Sequence, residues 1–381
     1  MTAEPAFTLG IEEEYLLVDR ASRELVLDPP AELLVECEKQ LGKRVSPEFL
    51  RSQIEIQTGI CGSAAQARAE LVELRGTVAA VAAQFGMAPV AAASHPFASH
   101  TTQRRTDRER YNALHEDLQG VARRLVICGM HVHVGVEEPE LKIDLMNQVS
   151  YFLPHLLALS TSSPFWQGED TGLKSYRIAV FDEMPRTGIP ERFESWGEYE
   201  RHVGTLVKLG VIDDASKLWW DIRPSSRFPT LEMRIADVCT RVDDAIAIAC
   251  LFRCLLRMLW RLRVANQRWR IYLRMLIDEN RWRAQRYGID EGLIDFGRAE
   301  RVPYPQLLDE ILALVREDGS HFGCLAELDH ARTILARGTS AHHQRRIYQA
   351  ALAEGREPKA ALEAVVDWLI DATLEPEPPP V

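Results

Sequence analysis

The sequence predicts an α+β fold with one antiparallel sheet and helices packed on one side of it. Strand-like segments occur singly or as hairpins, and long helical stretches separate them without the regular alternation of a parallel sheet. Four of these segments carry acidic or imidazole side chains on one face and apolar side chains on the other. The 381 residues contain no internal repeat and no long low-complexity linker. We therefore expect residues 1–374 to form one domain.

The individual elements follow from the hydrophobic period and from capping signals. Predicted strands cover residues 8–18, 53–58, 87–93, 125–137, 219–223 and 230–238, and predicted helices cover residues 64–85, 107–124, 141–162 and 243–287, the last as one helix or two. Ser63 and Gln66 match a capping box, and Pro154 predicts a kink. Residues 161–204, rich in Ser, Gly and Pro, predict a long loop that acts as a lid. The remainder is predicted to be helical, up to a disordered tail at residues 375–381.

The composition argues against several classes of protein. A net charge of −11 does not suit nucleic acid as the main partner. The seven cysteines form neither a CxxC pair nor a zinc-ligand spacing, as expected for reduced thiols. The N-terminal segment MTAEPAFTLGIEEEY lacks the features of a secretory signal. The most apolar segment, residues 245–262, is interrupted by Arg253, Arg257 and Arg261, which indicates an amphipathic helix and no membrane span. We expect a cytoplasmic enzyme.

Acidic and imidazole side chains recur on one face of the predicted strands. They are Glu12 and Glu14 in GIEEEY, Glu55 in QIEIQ, His131 and His133 in GMHVHVG, and Glu232 in TLEMRIAD. Buried neighbouring carboxylates repel each other unless a cation lies between them. Hard divalent cations such as Mg²⁺ and Mn²⁺ prefer carboxylate oxygen and accept imidazole. The set Glu12, Glu14, Glu55, His131 and Glu232 therefore predicts a site for two ions. A solvated edge strand and a simple Glu232–Arg234 salt bridge remain open alternatives.

Several arginines accompany these acids. They are Arg177, Arg186, Arg223 and Arg234, and the last two have apolar neighbours on their strands. Guanidinium groups bind phosphate and carboxylate with two parallel hydrogen bonds and stabilise charge during phosphoryl transfer. The sequence contains neither a GxxxxGK[ST] nor a GxGxxG motif. If ATP is a substrate, metal ions and arginines must bind its phosphates.

The ordered motifs GIEEE, QIEIQTG, GMHVHVG and TLEMRIAD resemble the glutamine synthetase-like superfamily. Nearly the whole chain resembles, more closely, the glutamate–cysteine ligase type 2 family of carboxylate–amine ligases. The blocks DTGLKSYR, MPRTGIP, WWDIRPS and ENRWRAQRYG also match that family. The resemblance implies a glutamine synthetase-like catalytic domain with a curved antiparallel sheet.

The resemblance also implies roles for particular residues. Glu12, Glu14, Glu55, His131 and Glu232 would bind Mg²⁺ or Mn²⁺, His133 would lie beside the nucleotide, Arg223 and Arg234 would face the transferred phosphate, and Arg177 would contact substrate or nucleotide. The implied reaction joins the carboxylate of glutamate to an amine, with cysteine expected, through an acyl phosphate formed from ATP. We expect a homodimer.

Other functions remain compatible with the same residues. A phosphotransferase of the guanidino-kinase type would use ATP but release no amide. A metal-dependent hydrolase would use the carboxylates to activate water and would not need ATP. A binding protein would keep the fold without turnover. Nucleotide dependence and an amide product distinguish the ligase from these alternatives.

Overall fold

The computed structural model describes residues 4–374. Its strands are β1 (Leu9–Asp19), β2 (Val45–Pro47), β3 (Gln53–Gln57), β4 (Met87–Val90), β5 (Met130–Gly135), β6 (Phe165–Trp166), β7 (Glu169–Asp170), β8 (Thr187–Gly188), β9 (Trp219–Trp220), β10 (Ile222–Pro224), β11 (Thr230–Met233), β12 (Leu293–Asp295) and β13 (Glu300–Val302). Its α-helices are α1 (Ala31–Leu41), α2 (Ala64–Ala83), α3 (Glu109–Leu118), α4 (Pro139–Val149), α5 (Leu153–Ser160), α6 (Tyr176–Phe181), α7 (Trp196–Lys208), α8 (Val242–Val264), α9 (Arg274–Tyr287), α10 (Tyr304–Leu314), α11 (Arg316–Phe322), α12 (Leu325–Arg337), α13 (Ser340–Ala353) and α14 (Pro358–Leu374).

One seven-stranded sheet organises these elements. Its order is β10–β11–β5–β1–β3–β2, with β4 also paired to β1, and every pairing is antiparallel. The longest strand, β1, lies in the middle and contacts β3, β4 and β5. The predicted antiparallel sheet is therefore confirmed.

The register of this sheet collects the polar side chains on one face. The pairs on that face are Glu12–His131, Glu14–Glu55, Glu232–His133 and Glu232–Arg223. Directly paired residues of an antiparallel sheet project to the same side. The intervening residues, such as Ile11, Ile56 and Val132, are buried on the opposite face. The two longest helices, α2 and α8, contact the sheet, and α2 does so on the apolar face through its bond to Glu13.

Several predicted boundaries are confirmed, and others are wrong. The helix predicted over residues 141–162 breaks into α4, a 3₁₀ turn and α5, with Pro154 in the first turn of α5. The loop predicted over residues 161–204 contains α6 and the start of α7. Helix α7 begins there because Ser195 caps it by accepting a hydrogen bond from the Glu198 amide. The strands β12 and β13 lie where only helix was predicted. The predicted tail at residues 375–381 lies outside the described residues.

The helix cap at Ser63 is confirmed with one change. Its Oγ accepts a hydrogen bond from the Gln66 amide at 3.2 Å. The side chain of Gln66 accepts from the amide of Gly62, at 3.0 Å, and not from that of Ser63.

Among residues 4–374, no helix is both long and apolar enough to cross a membrane. All seven cysteines are buried free thiols.

A buried ion pair joins the sheet to the helices beneath it. Arg75 of α2 is 1% exposed and Glu13 of β1 is fully buried. The guanidinium donates two hydrogen bonds to this carboxylate, at 2.9 and 2.7 Å. It also donates to the carbonyl oxygens of Cys239, Thr240 and Thr373, at 2.8, 2.6 and 3.2 Å. Arg75 thus connects β1 and α2 to the segment before α8 and to the end of α14.

We expect Arg75→Met to destabilise the fold strongly, because it leaves a buried carboxylate without its cation. Breaking such a pair costs roughly 3–5 kcal/mol. The stability of Arg75→Lys should lie between those of the unchanged protein and Arg75→Met. An ammonium keeps the positive charge but cannot make the two-pronged contact. The control is Arg356→Met, which removes an exposed ion pair with Glu354 and should cost at most about 1 kcal/mol. Urea unfolding measures the free energy of unfolding of all three variants. A loss for Arg75→Met no larger than that of the control would contradict this role.

Candidate functional site

Two groups of acidic and imidazole side chains lie on the polar face of the sheet. The first consists of Glu12, His131 and Glu232, and the second consists of Glu14, Glu48 and Glu55. Within each group, one nitrogen or oxygen atom from every residue lies within 4.8 Å of the others. All five predicted ligand residues are present, divided between the two groups. Such oxygen-rich sets fit hard divalent cations, with the imidazole as a tolerated ligand.

Glu48 is the residue that sequence reasoning missed. It follows β2 directly, and its carboxylate accepts a hydrogen bond from the Tyr111 hydroxyl at 3.2 Å. Ser46 of β2 is paired with Glu55. A period of two from Ser46 places Glu48 on the same face as Glu55. The signal was present in SPEFL, but β2 was not recognised as a strand.

The first group is built around the carboxylate of Glu12. The Nδ1 of His131 lies 3.1 Å from this carboxylate, and the Nε2 of His133 lies 3.4 Å from it. Burial opposes ionisation of Glu12, but the two neighbouring imidazoles outweigh it and hold its pKa well below the usual value. Burial, together with the charge of Arg234, lowers the pKa of His131 to about 4. His131 is therefore neutral near pH 7, as a metal ligand must be.

His133 is oriented from its other side. Its Nδ1 lies 2.9 Å from the Thr230 hydroxyl, and the ring of Phe228 meets the imidazole edge-on at 5.7 Å. Its Nε2 is buried and makes no aligned hydrogen bond in the structure. The imidazole is thus held in place beside the first group, with one ring nitrogen available. The prediction that His133 lies beside a nucleotide stays a prediction.

The second group carries an electrostatic cost. The Glu14 carboxylate accepts a hydrogen bond from the Gly129 amide at 2.7 Å. Burial, followed by the negative charge of Glu48, nevertheless raises the pKa of Glu14 to about 7. Nearby arginine charges oppose this effect without cancelling it, so further positive charge would be needed to keep the carboxyl group ionised. A divalent cation between Glu14, Glu48 and Glu55 would supply that charge.

Glu232 lies between two guanidinium groups. Arg223 donates to it at 3.0 and 3.2 Å, and Nη1 of Arg234 donates to it as well. Burial opposes ionisation of Glu232, but Arg234 and Arg223 outweigh it and hold its pKa far below the usual value. The Glu232–Arg234 salt bridge considered from the sequence is therefore present. It coexists with the first group, because the same carboxylate also lies near Glu12 and His131.

The two arginines differ in the donors that they leave available. Arg223 also donates to the carbonyl oxygens of Ser216 and Leu218, at 2.8 and 2.7 Å. Its guanidinium is thus occupied with Glu232 and the backbone. Arg234, in contrast, has a buried Nε without a partner. The predicted phosphate contact stays a prediction for both residues. Both guanidinium groups contact Glu232 in the structure, so neither is committed to a phosphate.

Arg177 is buried beside this site and contacts the backbone of the residues that follow β11. It is 2% exposed and donates to the carbonyl oxygens of Ile235 and Arg234, at 3.2 and 3.1 Å. A Cβ atom on Gly129 would lie 2.4 Å from its Nη2, so this close approach requires glycine. Arg186 has a different place, because its Nε donates to the Lys217 carbonyl and its guanidinium lies over the ring of Trp219.

A cleft with a volume of about 120 Å³ opens beside the second group. Its polar end contains Glu14, Glu48, His131, Arg177 and Arg234. Phe181 and Met184, which lie within the predicted loop of residues 161–204, form part of its wall. The predicted loop therefore reaches the site, while its role as a lid stays a prediction. Each group offers carboxylate oxygens that would fit one divalent cation, and Arg234 lies beside the first group.

Comparisons with known proteins identify the family to which the chain is similar. The model of glutamate–cysteine ligase family 2 matches residues 8–366. A Rhodospirillum rubrum protein, provisionally named glutamate–cysteine ligase 2, is 62% identical over 377 residues, covering 98% of this chain and 97% of the relative. A relative from a Jannaschia species, with the same provisional name, is 54% identical over 365 residues, covering 96% of each chain.

Solved structures confirm the predicted glutamine synthetase-like fold. A glutamate–cysteine ligase from Francisella tularensis in complex with AMP gives a TM-score of 0.67 at 14% identity, covering 97% of this chain and 90% of that one. A bifunctional glutathione synthetase from Pasteurella multocida gives a TM-score of 0.69 at 14% identity, covering 96% of this chain. The chain spans about half, 52%, of that bifunctional enzyme. At this identity the two structures show the fold alone.

The two acid groups predict two divalent-ion sites in each chain. We expect metal-free protein to bind two Mn²⁺ ions, and Glu48→Gln to bind one, because an amide removes a charge that the ion needs. Electron paramagnetic resonance of free Mn²⁺ measures the stoichiometry. Glu354→Gln, at an exposed ion pair outside the site, is the control and should retain both ions. Two ions bound by Glu48→Gln with unchanged affinity would exclude Glu48 as a ligand.

Proposed function

Since the chain belongs to glutamate–cysteine ligase family 2, we propose that it is an ATP-dependent carboxylate–amine ligase. The reaction would join the carboxylate of glutamate to an amine, with release of ADP and phosphate. The observation that carries this proposal is the pair of acid groups on one sheet face, with the free Nε of Arg234 beside them. The AMP bound by the Francisella tularensis enzyme supports the use of an adenine nucleotide.

The chemistry explains why such a site is needed. A carboxylate does not react with an amine directly, because oxide is a poor leaving group. Transfer of the γ-phosphoryl group from ATP to the carboxylate gives an acyl phosphate, and attack by the amine then releases phosphate. Bound Mg²⁺ or Mn²⁺ ions would neutralise phosphate charge. The acid groups fit these ions, since they are rich in carboxylate oxygen and one imidazole is neutral.

The proposed reaction assigns a role to each residue of the two acid groups and to Arg234. Glu12, His131 and Glu232 would hold one ion, and Glu14, Glu48 and Glu55 the other. Arg234 would donate a hydrogen bond to the transferred phosphoryl group, where charge develops.

The other predicted site residues support these groups. Arg223 would fix the position of Glu232 in the structure seen here, and would need to leave that carboxylate to reach a phosphate. Arg177 would hold the backbone of Arg234 in place. His133 would lie on the nucleotide side of the site, with its Nε2 beside the Glu12 carboxylate.

Some parts of the proposal rest on the family alone. These are glutamate as the acid, cysteine as the expected amine, a homodimer and a cytoplasmic location. The relatives described above carry ligase or synthetase names. The phosphotransferase and hydrolase alternatives therefore find no support among them.

An acyl phosphate pathway makes a prediction about oxygen atoms. With glutamate labelled by ¹⁸O in the reacting carboxylate, one labelled oxygen should appear in inorganic phosphate for every amide formed. Mass spectrometry of the phosphate measures this. A reaction in unlabelled glutamate and ¹⁸O-water provides the control and should give unlabelled phosphate. If the label came from water instead, the protein would act as an ATPase or hydrolase.

Replacement of Arg234 should separate the chemical step from metal binding. Arg234→Ala should lower kcat by about 10²–10³, because one charge-stabilising donor is lost. Arg234→Lys should recover only part of this rate. Mn²⁺ affinity should change little in either variant, since Arg223 still binds Glu232. Glu232→Gln should instead weaken Mn²⁺ binding. If all three variants lost stability equally and kept the same Mn²⁺ affinity, Glu232 and Arg234 would form a structural salt bridge without a role in metal binding or in the chemical step.

A further inference from the structure

Three of the seven cysteines form a thiol cluster between α8 and α12. Cys250 and Cys254 lie one turn apart on α8, and Cys324 is the N-cap residue of α12. The Sγ atoms of Cys254 and Cys324 lie 3.7 Å apart, and Cys250 also contacts the Cys324 thiol. All three are buried free thiols. The ligase function proposed above does not use this cluster.

The turn that carries Cys324 is held against α8 by a buried carboxylate. Asp318 of α11 is fully buried. It accepts hydrogen bonds from Arg257 of α8 at 2.8 Å and from Arg261 of α8 at 2.8 and 2.7 Å. The amide of Cys324 donates to the Gly319 carbonyl at 2.9 Å. The contact between the thiols of α8 and Cys324 is therefore a fixed feature of the fold.

A buried cation lies beside the thiol cluster. Arg253 of α8 is 3% exposed, and its guanidinium lies over the Phe322 ring, 3.8 Å from the ring centroid. Its Nη2 donates to the Gly62 carbonyl at 3.1 Å, whereas its Nε and Nη1 are buried without a partner. Burial lowers the pKa of Arg253, and the three cysteines oppose this effect. A thiolate in the cluster would offset the cost of burying this positive charge.

Cys324 is the residue of the cluster that is best placed to be that thiolate. Hydrogen bonds from the thiols of Cys250 and Cys254, together with the charge of Arg253, outweigh burial and lower the pKa of Cys324. The start of α12 also favours a negative charge at this position. Burial instead raises the pKa of the cysteines outside the cluster, which are Cys37, Cys61, Cys128 and Cys239.

Cys324 also lies close to the surface. It directly follows Gly323, an exposed residue that ends α11 with a left-handed φ of 64°. Phe322, on the other side of this glycine, is half-buried. A local movement of the turn is enough to bring the sulfur atom into contact with a small solute, because the helices themselves need not unfold.

We propose that Cys324 is oxidised by small hydroperoxides and forms a reversible disulfide with Cys254. The Cys324 thiolate attacks one peroxide oxygen, the O–O bond breaks, and a sulfenic acid forms. The hydroxide that leaves takes the proton of the Cys254 thiol and becomes water. The Cys254 sulfur then attacks the sulfenic sulfur, the S–S bond forms, and the S–O bond breaks. The departing hydroxide takes a proton from solvent, so that two thiols and one hydrogen peroxide give one disulfide and two waters.

The experiment uses the full chain, reduced with dithiothreitol and desalted. It is treated with hydrogen peroxide, then with catalase, and its free thiols are counted after unfolding in urea. We expect the count to fall from seven to five, because one disulfide consumes two thiols, and dithiothreitol should restore it. Trypsin cleaves after Arg253, which places Cys250 and Cys254 in different peptides. Mass spectrometry should then show the Cys254 peptide joined to the Cys324 peptide with the loss of two hydrogen atoms.

Two outcomes of this experiment would overturn the proposal. One is a count of seven thiols after peroxide treatment, and the other is a disulfide that lacks Cys254 or Cys324. Cys37→Ala removes a buried thiol outside the cluster and is the matched control. Its thiol count should fall from six to four, with the same pair of peptides joined.

Replacement of Arg253 tests the thiolate step. Arg253→Met should slow disulfide formation at pH 7 by roughly tenfold, because removal of the positive charge lowers the thiolate fraction of Cys324. Arg253→Lys keeps the charge and should retain most of the rate, which separates the effect of charge from a loss of packing. Melting temperatures check the fold of both variants. An unchanged rate in Arg253→Met, or equal losses in both variants, would contradict a thiolate stabilised by Arg253.

Discussion

The structure depends on the cost of placing several carboxylates on one face of one sheet. Glu12, Glu14 and Glu55 project to the same side because antiparallel pairing leaves them no alternative. In the second group, burial and the negative charge of Glu48 oppose the ionisation of Glu14. The raised pKa of Glu14 shows that this cost is not fully offset by the protein itself. Cations are the natural compensation, and this requirement links the fold to its chemistry.

The two acid groups meet this cost in different ways. Glu232 receives two guanidinium groups, and Glu12 lies beside two imidazoles. The protein therefore keeps the first group ionised without help. The second group has the backbone amide of Gly129 for Glu14 but is dominated by carboxylates. This asymmetry suggests that the second group depends more on a bound ion than the first.

The opposite face of the sheet fixes which acids reach the site. A shift of β1 by one residue would exchange Glu12 and Glu14 for Ile11 and Glu13. The bidentate contact between Arg75 and Glu13, buried beneath the sheet, opposes such a shift. Since Arg75 also holds three backbone carbonyls, the helices and the register are stabilised together. An ion pair on the opposite face of the sheet from the cleft thus positions the reactive side chains.

Much of this could be derived from the sequence alone. The alternation in GIEEEY, QIEIQ and GMHVHVG determined which residues share a face, since side-chain direction in a strand is a local property. Capping signals located the start of α2 for the same reason. The tertiary structure decided the rest, because it depends on contacts between distant segments. Glu48 joined the second group only through the pairing of β2 with β3, and Arg223 was occupied only because β10 lies beside β11. The lining of the cleft likewise includes side chains from α3 and from the end of α6, and no local pattern records which distant side chains will face each other.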